Sequence, residues 1–449
     1  MFDQLSGCSS GSAVSGVSAP LRASDVHGWA TGLAGLDRAV DDAELIAQLR
    51  ALEDLKAAAC AQQARIAVAF AESQEASRRP AHRAAGVAAQ VALARRESPH
   101  RGGRLLGLAR ALVGEMPRTL QALESGQINE WRATLIVRET ACVSRHDRTA
   151  IDAELWASSE RVTTLGDRAL AAEVRRMSYR VDPQAVVARA RRAESERSVS
   201  LRPAPDTMTY LTALLPVAQG VAAYAALNHA ADVARASGDS RARGQVMADT
   251  FVERVTGQRD ASDVPVTVNL VMTDTSLLGG SADDDDSEPG QLTGYGPIPA
   301  GVARHLVAGA TKTQRAWVRR LYQRDARLVA LESRARLFPQ GIADFIDLRD
   351  RQCRTPWCDA PIRHHDHVRA YADGGSTASP NGQGLCEACN YIKEEPGWRA
   401  RPGPDGVITT TTPTGARYES PEPRLPVPRR SRLHPIDALR LVLLEYEAA

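Results

Sequence analysis

Two close cysteine pairs, Cys353 with Cys358 and Cys386 with Cys389, constrain this 449-residue chain more than any other feature. A tetrahedral thiolate site takes two ligands from each of two tight turns, so the spacing predicts a four-cysteine cage for a structural Zn²⁺. Such a cage forces the two turns together and folds the residues between them into a small stapled module. The other cysteines, Cys8, Cys60 and Cys142, are scattered, which fits a metal site in a reducing compartment better than a disulfide framework. A cytoplasmic protein is expected.

A chain of this length exceeds what one hydrophobic core organises, so two domains or more are expected. Aromatic residues make up only 4% and alanine is abundant, which favours helix packing over a β-sandwich. The expected class is mostly α: a helical N-terminal domain followed by a small zinc-stapled C-terminal module. The expected boundaries are a disordered Ser/Gly/Ala-rich N-terminus over 1–25, a helical domain over 26–337, the cysteine module over 338–400, and a hairpin, Pro-rich linker and last helix over 401–449. No run approaches the ~18 to 20 apolar residues of a membrane span, and the N-terminus lacks the early positive charge and apolar run of a secretory signal.

Within the helical part, Asp41 is an expected N-cap, after which Leu45, Leu49, Leu52, Leu55, Ala59, Ile66 and Phe70 recur at helical spacing. Pro117 opens a second helix with Leu120 and Leu123 inward and Gly126 as its stop, and Trp131, Leu135 and Ile136 start the next. Helical pattern resumes over about 216–256, Val264 to Met272 alternates like a strand, and helices are expected to return from Pro299 to Leu337. The run Asp283 to Asp286 has the composition of a solvated loop. Past the cysteines, Val407 to Thr412 and Arg417 to Ser420 flank Pro413-Thr414-Gly415 as a hairpin, and a last helix is expected from about Pro435.

Between the cysteine pairs lie Asp366-His367 and Asn381, and the second pair is followed by Asn390 and Lys393. The segment from Asp347 to Trp398 resembles the HNH endonuclease family, whose ββα-metal fold is a hairpin, a loop and a helix around one catalytic metal. By that resemblance His367, Asn381 and Asn390 stand at the three signature positions, an HNN variant. The resemblance implies a metal-dependent endonuclease acting on DNA.

Each position also has a physical reason. Phosphodiester hydrolysis needs an activated water, and a neutral imidazole with a pKa near ~6.5 can take its proton at neutral pH. His367 is the expected general base. Asp366 and Asn390 are the expected ligands of Mg²⁺ or Mn²⁺, since such an ion is held by one or two protein oxygens plus water and phosphate. Asn381 can fix the loop after His367 by bonding its backbone. Lys393, one of only three lysines, is an expected phosphate contact. His364 and His365 are expected as exposed strand residues, and Trp357 and Trp398 as packing for the small core.

The net charge of +2 gives the whole molecule no strong preference for nucleic acid. A basic stretch over 301–337 includes Arg319 and Arg320, which are expected to supply contacts to the DNA backbone. The segments MPRTLQALESGQIN, GDSRARGQVMADTFVE and GYGPIP resemble the helical domain called DUF222, found in proteins of the 13E12 repeat family and often followed by an HNH module. That likeness spans roughly 40–330 and implies the two-part layout, but no mechanism; a protein partner, if there is one, is expected to meet the helical N-terminal domain. Asp239, Arg241 and Asp249 within it are expected as structural ion pairs. Two other functions fit the same residues: a DNA-binding or regulatory protein whose HNH site has decayed, and a toxin or mobile-element effector.

Overall fold

The computed structural model describes residues 21–77, 86–259, 270–273, 276–277, 288–312, 323–324, 327–328, 332–333 and 337–424. The chain is mostly helical, with small sheets late in the sequence, as the composition requires. Among the described residues no helix is long and apolar enough to cross a membrane.

The N-terminal body is organised around a long helix. Helix α1 (Ala23–Gly32) precedes it, so 23–25 are helical where disorder was expected. Helix α2 (Asp42–Ser77) starts where Asp41 caps it, the carboxylate accepting from the Glu44 amide at 2.8 Å. Against it lie α3 (Val87–Ala94), α4 (Pro99–Glu115) and α5 (Pro117–Glu124), followed by α6 (Glu130–Glu139), α7 (Arg145–Leu155), α8 (Ser159–Thr164) and α9 (Asp167–Val181). The main core joins Ala57, Ala61 and Ala64 of α2 to Leu108, Leu112, Leu120, Leu123, Ile136 and Ile151.

The buried face of α2 differs from the expected leucine stripe. Leu49, Leu55 and Ile66 are exposed, while the alanines one face round are buried. Small side chains let the backbones of α2, α4 and α5 approach closely, and the leucines of the partner helices fill the layer. Close approach recurs at Gly102, where a Cβ would stand 2.4 Å from that of Ala92. Pro117 does open α5, and Gly126 stops it in the left-handed region at φ 75°. The next helix does start with Trp131, Leu135 and Ile136, of which the last two are buried, while Trp131 is half exposed and donates its Nε1–H to Asp167 at 2.9 Å.

Helix α10 (Pro183–Ser195) leads to an exposed hairpin of β1 (Ser198–Pro203) and β2 (Thr209–Leu214), then to α11 (Val217–Ala236) and α12 (Arg243–Thr256). Arg241 bridges Asp239 at 2.7 Å and Asp249 at 2.6 Å, holding the Asp239 carboxyl down to about 2. These are the ion pairs expected there. Of the strand expected over 264–272, β3 (Leu270–Val271) is described, and it pairs with β4 (Gly290–Leu292), which pairs with β5 (Gly296–Ile298). Helix α13 (Ala300–Lys312) follows, but the expected helical run to 337 gives way to short strands, β6 (Gln323–Arg324), β7 (Arg327–Leu328) and β8 (Glu332–Ser333). The Asp283–Asp286 run, the pair Arg319 and Arg320, the first 20 residues and the expected last helix lie outside the described residues.

The C-terminal module begins with α14 (Gln340–Asp350) and continues through β9 (His364–His367), β10 (Thr377–Ala378) and β11 (Gly382–Leu385) to α15 (Glu387–Lys393). Strands β9 and β11 pair antiparallel, with His367 opposite Gly382 and Asp366 opposite Gln383. Strand β10 pairs with β8, so the chain before the module adds to its loop. The expected hairpin is there and gains a third strand: β12 (Arg399–Pro402), β13 (Ile408–Thr411) and β14 (Arg417–Ser420) form one antiparallel sheet.

Candidate functional site

The four cysteines converge. Their Sγ atoms all lie within 4.8 Å of one another, and all four residues are buried. Cys358 stands 3.6 Å from Cys386 and 3.7 Å from Cys389, sulfur to sulfur. A tight knuckle carries the first pair, with Trp357 and Asp359 on either side of Cys358 in the left-handed region at φ 60° and 47°. The second pair opens α15, where the Cys386 sulfur caps the helix by accepting from the Cys389 amide. Hydrogen bonds from Cys358 and its neighbours hold the Cys353 thiol down to about 7, and contact with Cys353 pushes the Cys358 and Cys389 thiols up. Four sulfurs this close cannot all ionise beside one another, and a bound cation removes that conflict. The cluster is close enough to hold a metal ion.

Directly beside this cluster sits the hairpin β9–β11. His367 is buried, its ring 4.4 Å from Phe338 and 5.8 Å from Tyr371, centroid to centroid, and its Nε2 is 2.8 Å from the Thr377 hydroxyl. Packing and the Thr377 bond thus fix the imidazole in one orientation. Asn381 does the loop-holding work its position suggested. Its Oδ1 accepts from the Arg369 amide at 2.9 Å, and its Nδ2 donates to the carbonyls of Arg369 at 3.1 Å and Ser376 at 2.8 Å. Gly375 is required in that loop, because a Cβ there would meet the Arg369 carbonyl at 1.9 Å.

Lys393 joins helix to strand. Its Nζ is 2.7 Å from Asp366 Oδ2, 3.0 Å from Glu394 Oε1, and donates to the His367 carbonyl at 2.8 Å. Burial disfavours its charge, but Asp366 and Glu394 outweigh that and hold the ammonium above its ordinary value. The side chain is only 12% exposed, so the ammonium points inward here, not at solvent where a phosphate would come. Gln383 also donates to Asp366 Oδ2, at 3.3 Å. Asn390, one helical turn before Lys393, is half-buried on the same side of α15. The strand and helix therefore bring Asp366, His367 and Lys393 together, with Asn390 on the adjoining turn. His364 and His365 are half-buried rather than exposed: His365 Nε2 is 2.8 Å from Asp347 Oδ1, and His364 lies against Tyr391.

A buried carboxylate that sequence reasoning passed over supports the whole arrangement. Asp350, fully buried, accepts from Arg349 Nε at 2.7 Å, Arg354 Nη1 at 3.0 Å and the Gly384 amide of β11 at 2.7 Å. Arg349 continues to the carbonyls of Ser379 and Gly382, and Arg354 to those of Gly406 and Ser420. One carboxylate thereby ties α14, the hairpin and the C-terminal sheet. In the sequence, the stretch Asp347 to Arg351 carries no local pattern that announces the burial of Asp350.

Trp398 and Trp357 part company. Trp398 is buried, but against Ala89 and Leu93 of α3, so it bolts the module to the helical body; Trp357 is 42% exposed, edge-on to Tyr418 at 5.9 Å. Thr414 adds a hydrogen bond to Gln90 of α3 at 3.0 Å.

Residues 49–350 match the family model described as domain of unknown function, DUF222. That match ends at Asp350, before the first cysteine of the cluster. A curated relative, Uncharacterized protein Rv3776 of Mycobacterium tuberculosis, is 32% identical over 142 residues, which are 30% of this chain and 25% of that protein. The matched stretch thus spans about a quarter of the relative's length. No solved structure matches the chain.

Proposed function

The chain belongs to the DUF222 family, and we propose that its C-terminal module is a metal-dependent endonuclease of HNH type that hydrolyses DNA phosphodiester bonds. The observation that carries this reading is the packing of β9 on α15: the Asp366-His367 dipeptide, the loop-fixing Asn381 and the Asn390 helix meet beside a four-sulfur cluster. Sulfur separations of 3.6 and 3.7 Å match the edge of a tetrahedron with ~2.3 Å metal–sulfur bonds, which fits Zn²⁺. Thiolates at that site imply a reducing, cytoplasmic setting.

His367 is the general base of this reading. Its Nε2 lies 2.8 Å from the Thr377 hydroxyl, a bond that fixes the ring for proton transfer whichever of the two groups donates. Asp366 and Asn390 offer the hard oxygens that Mg²⁺ or Mn²⁺ takes, and such an ion, when bound, supplies charge neutralisation at the scissile phosphate. Lys393 and Gln383 both engage Oδ2 of Asp366, leaving Oδ1 as the oxygen to present. Asn381 keeps the loop from drifting off the imidazole.

Purified zinc-loaded protein is expected to nick plasmid DNA with Mg²⁺ or Mn²⁺ and to stop on EDTA. His367→Ala should lose at least ~100-fold in rate while keeping its zinc; an alanine variant as active as the parent removes His367 from the chemistry. The Lys393–Asp366 ion pair favours a second reading, in which a fixed ammonium stands in for the catalytic cation and the module binds DNA without cutting it. DNA binding with no cleavage across several divalent ions would select that reading. A toxin or mobile-element effector would instead betray itself by growth arrest on expression, relieved by a neighbouring gene product.

A further inference from the structure

A module that acts on DNA needs a surface for the phosphate backbone, and residues 341–449 do not supply it by net charge, with 14 basic against 15 acidic side chains. The geometry points to one face of the C-terminal sheet, and we propose that this face, made by Arg399, Arg401, Thr409, Thr411 and Arg417, docks the DNA backbone. The proposal rests on the nuclease reading for its choice of DNA as partner.

Strand register defines the face. Arg399 pairs with Thr411 and Thr411 with Arg417; Arg401 pairs with Thr409 and Thr409 with Glu419. Paired and alternate residues point the same way, so these six side chains share one surface. The opposite surface is spent on packing. It carries Ile408, which is buried, Tyr418, which packs near Trp398 and Leu93, and Ser420, which bonds Arg354. The sheet is therefore anchored on one side and open on the other.

Charge is sorted between those sides. Arg399, Arg401, Arg417 and Glu419 are exposed, so the open side has three cations against one anion. None of the three guanidinium groups makes a hydrogen bond or ion pair with a described residue. Many arginines on the helical body, by contrast, meet carboxylates, as Arg65 meets Glu124, Arg110 meets Glu75 and Arg180 meets Glu154. Arg399 and Arg417 flank Thr411 from either side, about 10 Å apart across two strand spacings, and Thr409 and Thr411 present hydroxyls between the guanidinium groups. Guanidinium forks with hydroxyls between them are the donors that position a phosphate backbone without reading bases. The face should therefore bind duplex DNA with little sequence preference, leaving selectivity to other parts of the chain.

Fluorescence anisotropy of a labelled DNA duplex against the full zinc-loaded chain, repeated over a range of salt, tests this. Changing Arg399, Arg401 and Arg417 together to Gln should weaken binding at least ~10-fold and lower the slope of log K against log salt by about 2 to 3, near 0.9 for each phosphate no longer neutralised. Glu419→Gln should tighten binding, and the triple change to Lys should keep most of the slope. A control triple, Arg38, Arg50 and Arg254 to Gln, should leave the slope at the parent value. An unchanged slope in the sheet triple, an equal loss in the control, or no duplex binding by the parent overturns the proposal. Binding that depends on the sheet in a protein that never nicks would sustain this surface and refute the nuclease; nicking with an unchanged slope does the reverse.

Discussion

At the scale of single residues, Lys393 and Asp350 decide how the site is held. The Lys393 ammonium sits 2.7 Å from Asp366 Oδ2, so it both orients that carboxylate and repels a second cation. Lys393→Met should bind Mn²⁺ several-fold more tightly, read by electron paramagnetic resonance, yet nick more slowly because Asp366 loses its orientation. Unchanged Mn²⁺ affinity with a shallower salt dependence of DNA binding would make Lys393 a phosphate contact instead. Asp350 carries the heavier structural load. Asp350→Ala leaves Arg349 and Arg354 buried without their common anion, a change that costs about 3 to 5 kcal/mol. Urea unfolding of the zinc-loaded protein, followed by tryptophan fluorescence, should show that loss, and a value within about 1 kcal/mol of the parent would mean the network relaxes into water.

Elements differ in how much of them the sequence discloses. Helix starts were legible because caps are local: Asp41 before α2 and Pro117 in α5 act on amides within a turn of themselves. Which face a helix buries was not local. Alanines rather than leucines of α2 meet its neighbours, a choice made by helices tens of residues away. The cysteine cluster and the Asn381 loop were legible because ligand spacing and turn chemistry leave few alternatives, and the His367 strand through the resemblance to the HNH hairpin, whereas the Asp350 network joins four segments and has no linear signature. Helices α6 and α9 meet through a similar buried anion. Burial raises the Glu139 pKa, but hydrogen bonds and charge from Arg175 and Arg138 win and set it below the ordinary value. A depressed carboxyl stabilises the fold above its unfolded pKa, and that contribution fades as pH falls through the lower folded value. Acid unfolding should therefore steepen below about pH 4.5. Glu139→Gln should flatten that limb in a pH series of thermal melts, and an identical limb would show the ion pairs to be inert.

On the scale of the whole molecule, a family domain without assigned chemistry carries a small module with a four-cysteine cluster on its C-terminal side. The two are joined by packing as well as by chain: Trp398, a few residues past the end of α15, is buried on α3, and Gly86 at φ 75° leaves room for its indole. The helical body thus holds the hairpin, the four sulfurs and the C-terminal sheet in a fixed relation, which a small module with few apolar residues could not guarantee alone. The proposed function follows from one juxtaposition, a helix opened by two cysteines of the four-sulfur cluster and laid against the strand that bears Asp366 and His367. Anomalous diffraction from crystals of the zinc-loaded chain soaked in Mn²⁺ tests it most directly. A zinc peak is expected among the sulfurs of Cys353, Cys358, Cys386 and Cys389, and a separate manganese peak about 2 Å from Asp366 Oδ1 and the Asn390 side-chain oxygen. Zinc among the sulfurs with no manganese at Asp366, or manganese bound away from both residues, would contradict it.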